Sequence, residues 1–394
     1  MYIARTITKH LRTLCREFPV VVITGPRQSG KTTLAKHLYK SAEYLSLEAI
    51  DTREFAREDP RGFLSELGRR VIVDEVQRVP ELLSYIQVLV DENPLPGRFI
   101  LTGSANLLLL QKVTQSLAGR AAFVTLLPFE RREIEKTKKA PKSLWDTVWT
   151  GSYPVIFDRK VRPQVWLSNY ITTYVERDVR QVLQITDLVA FQTFLGLCAG
   201  RVGQLVSLAS LASDCGVTQP TAKAWLSVLS ASYLVNLLPA YHGNINRRLV
   251  KAPKLHFYDS GLLCRLLGIA SAEQLKTHPL RGNIFETWVF SELAKIRFNH
   301  GQSNGMFYYR DRKGLEVDLI IEKGRKLLAI ESKSGATVAS DSFNTLLRFE
   351  QQVQRASEDT AVLKYLAYGG DHTQKRTKGT ALPWKRIHTV PMFD

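Results

Sequence analysis

The sequence predicts a mixed α/β protein in three parts, and three observations lead to this prediction. Short apolar runs alternate with helical stretches from about residue 19 to 128, as a parallel sheet covered by helices on both faces requires. A helix, a short turn and a second helix occur near the end of a helical region that reaches about residue 240. Strands mixed with helices return after Gly261. We place the three parts at 1–138, 139–270 and 271–394.

The elements of the outer parts follow from the positions of the apolar runs. In the first part the predicted strands are 20–24, 44–47, 70–74, 98–102 and 122–126. In the third part a helix over about 284–298 precedes predicted strands at 306–309, 315–321, 327–331 and 363–367. The charged segment 130–142, which contains Pro141, predicts a domain boundary or an exposed connection.

The composition limits the partners and the compartment. Lysine and arginine number 54 against 37 aspartates and glutamates, so the net charge is +17, which favours polyanionic partners such as nucleic acid. The four cysteines are widely spaced and form no C-x-x-C pair, so we expect neither disulfides nor zinc. Without a signal peptide or an apolar run of roughly 18 residues, we expect a soluble cytoplasmic protein with no membrane contact.

A phosphate-binding loop follows the first strand. The segment Gly25-Pro-Arg-Gln-Ser-Gly-Lys-Thr matches the pattern G-x-x-x-x-G-K-[ST] and leads into a helix. Backbone N–H groups and the helix N-terminus bind phosphate, Lys31 can bridge the outer phosphates, and Thr32 can ligate Mg²⁺. The predicted nucleotide-binding positions of this loop are Gly25, Pro26, Arg27, Gln28, Ser29, Gly30, Lys31, Thr32 and Thr33.

Polar groups at the ends of later strands complete the nucleotide site. Asp74 is predicted to hold Mg²⁺ with Thr32, and Glu75 to polarise the attacking water. Thr102 and Ser104 are both candidates for a hydroxyl near the γ-phosphate, and the sequence does not choose between them. Arg120 is either a finger inserted into a neighbouring subunit or a cation at a helix end.

The middle part contains a possible DNA-contacting unit. A helix from about Ser207 ends at Cys215-Gly-Val, a second helix begins after Thr218, and an apolar run at 233–238 suggests a wing. The second helix can enter a DNA major groove, although such units also serve as structural or protein-contact modules.

Acidic residues and a lysine gather on a hairpin in the third part. A turn at Gly324-Arg325 pairs residues whose numbers sum to 649, so Asp318 faces Glu331 and Glu316 faces Lys333. A turn at Lys323-Gly324 makes the sum 647, which shifts the partners by two and leaves the faces unchanged. Period-two geometry places these four charges on one face, with Val317 and Leu319 pointing the other way into the core. Mg²⁺ would neutralise Asp318 and Glu331 and generate a nucleophilic water, Lys333 would orient it, and Glu286 would complete the metal ligands.

Several motifs resemble those of prokaryotic AAA+ ATPases of the archaeal-ATPase-like group. They are Gly25-Pro-Arg-Gln-Ser-Gly-Lys-Thr-Thr-Leu, Val73-Asp-Glu-Val-Gln77, Ile100-Leu-Thr-Gly-Ser104, Leu117-Ala-Gly-Arg120, Tyr174-Val-Glu-Arg-Asp-Val179, Phe257-Tyr-Asp-Ser-Gly261 and Gly282-Asn-Ile-Phe-Glu286. The resemblance implies ATP as the nucleotide and a restriction-endonuclease-like C-terminal domain. It also implies an arginine sensor: Arg177 and Arg180 lie in the matching block and Arg177 is the candidate, the alternative being helix-surface charges paired with Glu176 and Asp178. The D-(x)n-E-x-K arrangement is likewise similar to PD-(D/E)XK nucleases, except that no proline precedes Asp318 and Ser332 occupies a usually apolar position.

Together these features predict an ATP-hydrolysing, Mg²⁺-dependent AAA+ protein. Its nucleotide state would control nucleic-acid binding, with DNA the expected partner and a homo-oligomer the expected assembly. Phosphodiester cleavage by the C-terminal part is one hypothesis. The alternative is an ATP-dependent regulatory switch whose nuclease-like domain is catalytically silent and binds protein partners.

Overall fold

A computed structural model describes residues 2–103, 116–159, 161–176, 187–242, 252–303, 305–356 and 359–393. Two predicted site residues, Ser104 and Arg177, lie outside the described residues. No helix in the described ranges is both long enough and apolar enough to cross a membrane.

The first part is built on a parallel sheet in the order β2-β3-β4-β1-β5. Its strands are β1 Val20–Thr24, β2 Glu43–Ser46, β3 Val71–Asp74, β4 Phe99–Thr102 and β5 Ala121–Thr125. Each lies within one residue of the predicted strand. The covering helices are α1 Thr8–Glu17, α2 Lys31–Leu38, α3 Ile50–Glu58, α4 Pro60–Ser65 and α5 Leu82–Glu92, with a 3₁₀ turn at Val76–Arg78. Because β4 lies between β1 and β3, the ends of these three strands meet at one edge of the sheet.

The segment after β5 differs from its prediction. It forms helix α6, Arg131–Glu135, whose N-terminal residues Glu130 and Glu133 are only 1% and 0% exposed. The prediction of an exposed connection is therefore wrong for this turn, although Lys136 to Lys139 include exposed lysines. The reason is that buried polar partners from elsewhere in the chain satisfy both carboxylates.

The middle part is helical and contains the predicted pair of helices. Its helices are α7 Leu144–Thr150, α8 Pro154–Asp158, α9 Pro163–Tyr170, α10 Leu188–Gly200, α11 Leu208–Cys215, α12 Gln219–Ala231 and α13 Ser260–Leu266, with a π-helical turn at Ile171–Glu176. Thr218 accepts a hydrogen bond from the Thr221 N–H and so begins α12, as predicted. Strands β6, Val235–Leu238, and β7, Lys254–Phe257, form an antiparallel pair after the two helices.

The third part is a mixed sheet in the order β12-β13-β11-β10-β9-β8. Its strands are β8 Met306–Arg310, β9 Glu316–Lys323, β10 Lys326–Lys333, β11 Ala361–Tyr368, β12 Gln374–Arg376 and β13 Gly379–Pro383. Its helices are α14 Ala272–Thr277, α15 Arg281–Asn299 and α16 Asn344–Ala356, with a 3₁₀ helix at Trp384–Thr389. The pairs Lys323–Lys326 and Leu319–Ile330 both sum to 649, so of the two predicted turn positions the one at Gly324-Arg325 forms.

One detail of β9 corrects the sequence prediction. Val317 packs in the core under α16, whereas Leu319 packs in the core under α15, so the two do not share a face. The cause is an irregularity in the pairing with β8, where Tyr308 alone opposes Asp318 and Leu319. Such a bulge bends the strand and re-aims a side chain, here at Asp318.

The apolar cores do not follow the three parts. Two clusters pack on the faces of the N-terminal sheet. A third cluster is continuous from Leu127 through the middle helices to Met392, and it includes Phe194, Phe257 and Trp288. The middle part therefore shares this core with one face of the C-terminal sheet, while the other face of that sheet packs its own cluster under α16.

Candidate functional site

The phosphate loop (residues 25–33) connects β1 to α2 in a conformation that its glycines allow. Gly25 has φ +137°, and a Cβ there would lie 2.2 Å from the Leu126 carbonyl oxygen, so a side chain cannot fit. Gly30, with φ +94°, begins α2. Ser29 Oγ is buried and has no hydrogen-bond partner among the described residues. The loop therefore offers a donor to a phosphate oxygen.

Lys31 is held inside this loop. Its Nζ donates to the carbonyl oxygens of Gly25 at 3.1 Å and Pro26 at 2.9 Å. Burial lowers the pKa of Lys31 to about 8, against the opposing effect of the Glu75 and Asp74 carboxylates. An anionic phosphate would stabilise the charged ammonium further, which suits the predicted phosphate contact.

Asp74 is the centre of a hydrogen-bond cluster at the ends of β3 and β4. Thr32 Oγ1 lies 3.1 and 3.0 Å from its two carboxylate oxygens, and the Thr102 hydroxyl also donates to it. The structure thus brings Thr32, Asp74 and Thr102 together, as the order of the strands requires. Tyr44 was not predicted, yet its hydroxyl donates to Asp74 Oδ2 at 2.8 Å. Its only sequence signal is its position on the neighbouring strand β2.

Glu75 lies beside this cluster in a left-handed conformation, with φ +58°. Burial raises the pKa of Glu75, whereas the Lys31 ammonium opposes the increase. The Gln77 amide donates to the Glu75 carboxylate and holds it next to the phosphate loop. A strained residue at this point is consistent with a side chain aimed at the cavity, which Glu75 lines.

A cavity of about 410 Å³ opens over the phosphate loop. Loop residues from Arg27 to Thr33 form one wall, and Tyr2, Ile3, Phe129, Pro154 and Val155 add apolar surface. Thr32 and Asp74 supply the oxygen atoms that Mg²⁺ prefers, so these residues fit the ion that a bound ATP would carry.

Arg5 contacts the backbone of the phosphate loop. The sequence analysis missed this residue. Its side chain is buried, its Nη1 donates to the Ser29 carbonyl oxygen at 2.8 Å, and its Nε lies 3.2 Å from both oxygens of Glu133. Its Nη2 donates to the Leu127 carbonyl oxygen at 2.7 Å. A single arginine near the N-terminus gives no sequence signal for this role.

Arg120 lies far from the phosphate loop of its own chain. It precedes β5 beside Val20, at the edge of the sheet where the strands begin, whereas the loop follows the opposite edge. Its Nη2 donates to Asp91 Oδ2 at 2.8 Å, and its side chain is 34% exposed. The structure therefore does not place Arg120 beside the phosphate loop of its own chain.

The predicted charges of the third part meet in one place. We call Glu286, Glu316, Asp318, Glu331 and Lys333 the C-terminal cluster. Lys333 Nζ lies 3.4 Å from Glu331 Oε2, and the Ser332 N–H donates to Asp318 Oδ2 at 2.8 Å. All except Glu286 line a cleft of about 560 Å³ against α16.

Burial and mutual repulsion change the proton affinity of this cluster. Desolvation and the Asp318 charge raise the pKa of Glu331 to about 8. Desolvation raises the pKa of Asp318, and it raises that of Glu286 well above its ordinary value with help from the Asp318 charge. A nearby cation would stabilise the ionised form of these buried, mutually repelling carboxylates.

A buried cation beside this cluster, Lys254, was missed by the sequence analysis. Its Nζ lies 3.0 Å from Glu286 Oε1 and 2.5 Å from Glu316 Oε1, although Lys254 belongs to β7 in the middle part. The signal was a lysine in the fully buried strand Lys254-Leu-His-Phe, where period two places Lys254 and His256 on one face. In the parts of the chain described, no three Asp, Glu, His or Cys side chains are arranged to hold a metal ion.

Three family models match the chain. One described as an AAA domain matches residues 17–135, and two described as domains of unknown function, DUF8612 and DUF4143, match 141–273 and 281–387. With the loop, the Thr32–Asp74 pair and Glu75, this defines the class: the protein is an ATPase with an AAA domain.

Relatives define the family more closely. The chain is 34% identical over 339 residues to the uncharacterized proteins Rv2008c of Mycobacterium tuberculosis and Mb2031c of Mycobacterium bovis, which covers 84% of this chain and 74% of each relative. It belongs to the same family as these mycobacterial proteins.

Solved structures are more distant. A Walker-type ATPase of Pyrococcus abyssi is 15% identical, with a TM-score of 0.44 over 67% of this chain and 96% of the other. The RuvB Holliday junction branch migration motor of Thermotoga maritima is 18% identical, with a TM-score of 0.28 over 60% and 90%.

Proposed function

We propose that the protein couples ATP binding and hydrolysis to nucleic-acid binding by its C-terminal part, which cleaves phosphodiester bonds with Mg²⁺. DNA is the partner we propose. The observation that carries the proposal is the C-terminal cleft, whose floor contains Asp318, Glu331 and Lys333 and whose rim contains Lys313, Arg348 and Arg355. Basic side chains around an acidic floor attract a phosphate backbone and still leave oxygen ligands for a metal.

The groups on the floor suit hydrolysis. When bound, Mg²⁺ would supply a nucleophilic water and stabilise charge on the phosphate. Asp318 and Glu331 would hold the ion, and Lys333, beside Glu331, would orient the water. The Ser332 N–H that bonds Asp318 fixes the direction of that carboxylate. This donor set supports a nuclease-like, PD-(D/E)XK-type domain.

A basic cavity adjoins the cleft where β10 and β11 end. Its volume is about 560 Å³, and it begins at Ser334, the residue after Lys333. Four cations and one carboxylate line it: Lys142, Lys276, Arg281, Lys385 and Asp371. Trp145, which is half-buried, also lines it and can stack on a base, whereas Trp384 is buried against Arg131 and Trp288. We place the nucleic-acid strand across the cleft and this cavity.

A buried network supports coupling between the two ends of the molecule. Arg5 joins the Ser29 carbonyl to Glu133, whose carboxylate accepts from the Glu130 N–H at 3.0 Å. Asn299, at the end of α15, donates to Glu130 Oε2 at 3.1 Å. The same helix carries Glu286 in the C-terminal cluster. A change in the phosphate loop is therefore linked through hydrogen bonds to one end of α15, the helix that carries Glu286 beside the cleft residues.

A homo-oligomer completes the proposal. Since Arg120 lies at the edge of the sheet opposite the phosphate loop, we propose that it reaches the ATP site of a neighbouring copy as an arginine finger. The winged-helix arrangement of α11, α12, β6 and β7 offers Gln219 and Lys223, both exposed, as further DNA contacts.

The direct test is Mg²⁺-dependent cleavage of circular, linear and single-stranded DNA, with and without ATP. We expect the wild type to cut DNA and Asp318→Asn to lose at least about a hundredfold in rate, since a metal ligand is removed from the floor. Asp341→Asn, an exposed aspartate of the same part, is the matched control. Lys31→Ala shows whether ATP licenses the cut.

A second prediction concerns the basic cavity. Lys142→Gln with Arg281→Gln should weaken DNA binding and flatten the slope of log K against log salt by about 0.9 for each phosphate that the variant no longer neutralises. Lys9→Gln with Arg12→Gln changes the net charge equally on exposed α1 and should leave the slope nearly unchanged. Equal effects of the two pairs would contradict a strand bound in the cavity.

The second candidate function is a regulatory switch with a catalytically silent C-terminal domain that binds protein partners. The observation that favours it is the Lys254 ammonium among the carboxylates, which already neutralises part of their charge. ATP hydrolysis without cleavage of any DNA, together with no DNA binding at low salt, would select this function.

A further inference from the structure

The Lys254 ammonium is the most deeply buried cation beside the C-terminal cluster. Its side chain is 2% exposed, against 56% for Lys333 and 48% for Arg310, which lies 3.6 Å from Glu316. Because water screens exposed charges, Lys254 acts more strongly than Lys333 on Glu286 and Asp318, whereas Lys333 is the nearer cation for Glu331. Burial opposes a charged lysine, yet the carboxylates outweigh it and raise the pKa of Lys254.

Lys254 contacts some of the carboxylates of the C-terminal cluster and not others. Glu286 and Lys254 lie behind the residues that line the cleft, and the ammonium contacts Glu286 and Glu316 directly. Asp318 and Glu331 face the cleft. A divalent cation entering from solvent would meet Glu316, Asp318 and Glu331, of which Glu316 is already paired with Lys254. The remaining predicted ligand, Glu286, lies behind them and is paired with the same lysine.

We propose that Lys254 is an internal counter-cation that competes with a divalent metal ion for the C-terminal carboxylates. The proposal rests on the proposed function and names what regulates its metal site. Lys254 belongs to β7, whereas the carboxylates belong to α15, β9 and β10. Metal affinity is therefore set by a strand outside the C-terminal sheet, and any shift of β7 away from α15 would release Glu286 to the metal.

The test measures metal binding rather than cleavage. Mn²⁺ takes the same oxygen ligands as Mg²⁺ and is titrated into the full chain by electron paramagnetic resonance, without nucleotide or DNA. We expect Lys254→Met, which keeps the side-chain length and removes the charge, to bind Mn²⁺ at least about tenfold more tightly than the wild type. Lys254→Arg keeps the charge and should resemble the wild type.

Two further variants make the result decisive. Adding Asp318→Asn to Lys254→Met should remove the increase in Mn²⁺ affinity. An increase that persisted in this double variant would come from the nucleotide site instead. If Lys254→Met does not fold because its carboxylates are left unpaired, Lys254→Met with Glu316→Gln removes one charge of each sign and should still bind Mn²⁺ more tightly. An unchanged affinity in a folded variant overturns the proposal, whereas failure of the proposed function is seen separately as absent DNA binding and cleavage in the wild type.

Discussion

Lys31→Ala should abolish ATP hydrolysis and weaken ATP binding. The ammonium lies 2.9 Å from the Pro26 carbonyl oxygen, inside the loop that would enclose the phosphates, and alanine leaves no cation there. We expect a loss of at least about a hundredfold in turnover, as for other preorganised groups that stabilise transition-state charge. Phosphate release and the binding of a fluorescent ATP analogue measure the two effects.

Two companion variants separate binding from hydrolysis. Glu75→Gln should retain ATP binding and lose turnover, because the amide cannot act as the base toward water. Lys40→Ala removes an exposed lysine soon after α2 and should change neither quantity. Turnover of Lys31→Ala within tenfold of the wild type would contradict the role assigned to Lys31.

Arg5→Met is expected to produce the largest loss of stability. The substitution leaves Glu133 buried without its cation and removes donors from the carbonyl oxygens of Ser29 and Leu127. Breaking a buried pair in this way typically costs about 3–5 kcal/mol in the free energy of unfolding. Urea denaturation followed by circular dichroism measures the change.

The double variant Arg5→Met with Glu133→Gln tests the cause. It removes the unpaired charge, so it should recover much of the stability that the single variant loses. It should not recover the response of DNA binding to ATP, since the polar path from the loop to Glu130 stays broken. A loss of less than about 1 kcal/mol in Arg5→Met would show that the pair is not the main support of this region.

The features that could be predicted are those encoded by short, local patterns in the sequence. Strand alternation predicted the N-terminal sheet, and the spacing of the loop predicted Lys31 and Thr32 beside Asp74. The two-residue turn predicted the hairpin and narrowed its register to two possibilities, one of which forms. Each of these predictions depends on residues that are neighbours in sequence or on a period that the backbone imposes.

The missed residues depend on contacts between distant segments. Arg5 pairs with Glu133, which lies 128 residues away, and Lys254 pairs with Glu286 across two parts of the chain. The faces of Val317 and Leu319 were predicted wrongly because a bulge breaks the two-residue period, and nothing in the local sequence specifies a bulge. Glu130 and Glu133 are buried, although the charged segment 130–142 predicted an exposed connection, because their partners lie in distant segments of the chain.

The core shared by the middle and C-terminal parts limits how the protein can be divided. A cut near residue 270 would separate the middle helices from α15. Phe194 and Phe257 would become exposed on one fragment and Trp288 on the other, since all three pack in one cluster. Freshly exposed apolar surface of this kind drives aggregation. Isolated fragments are thus poor substitutes for the intact chain. Single substitutions in the full chain are the better way to determine which part carries which activity.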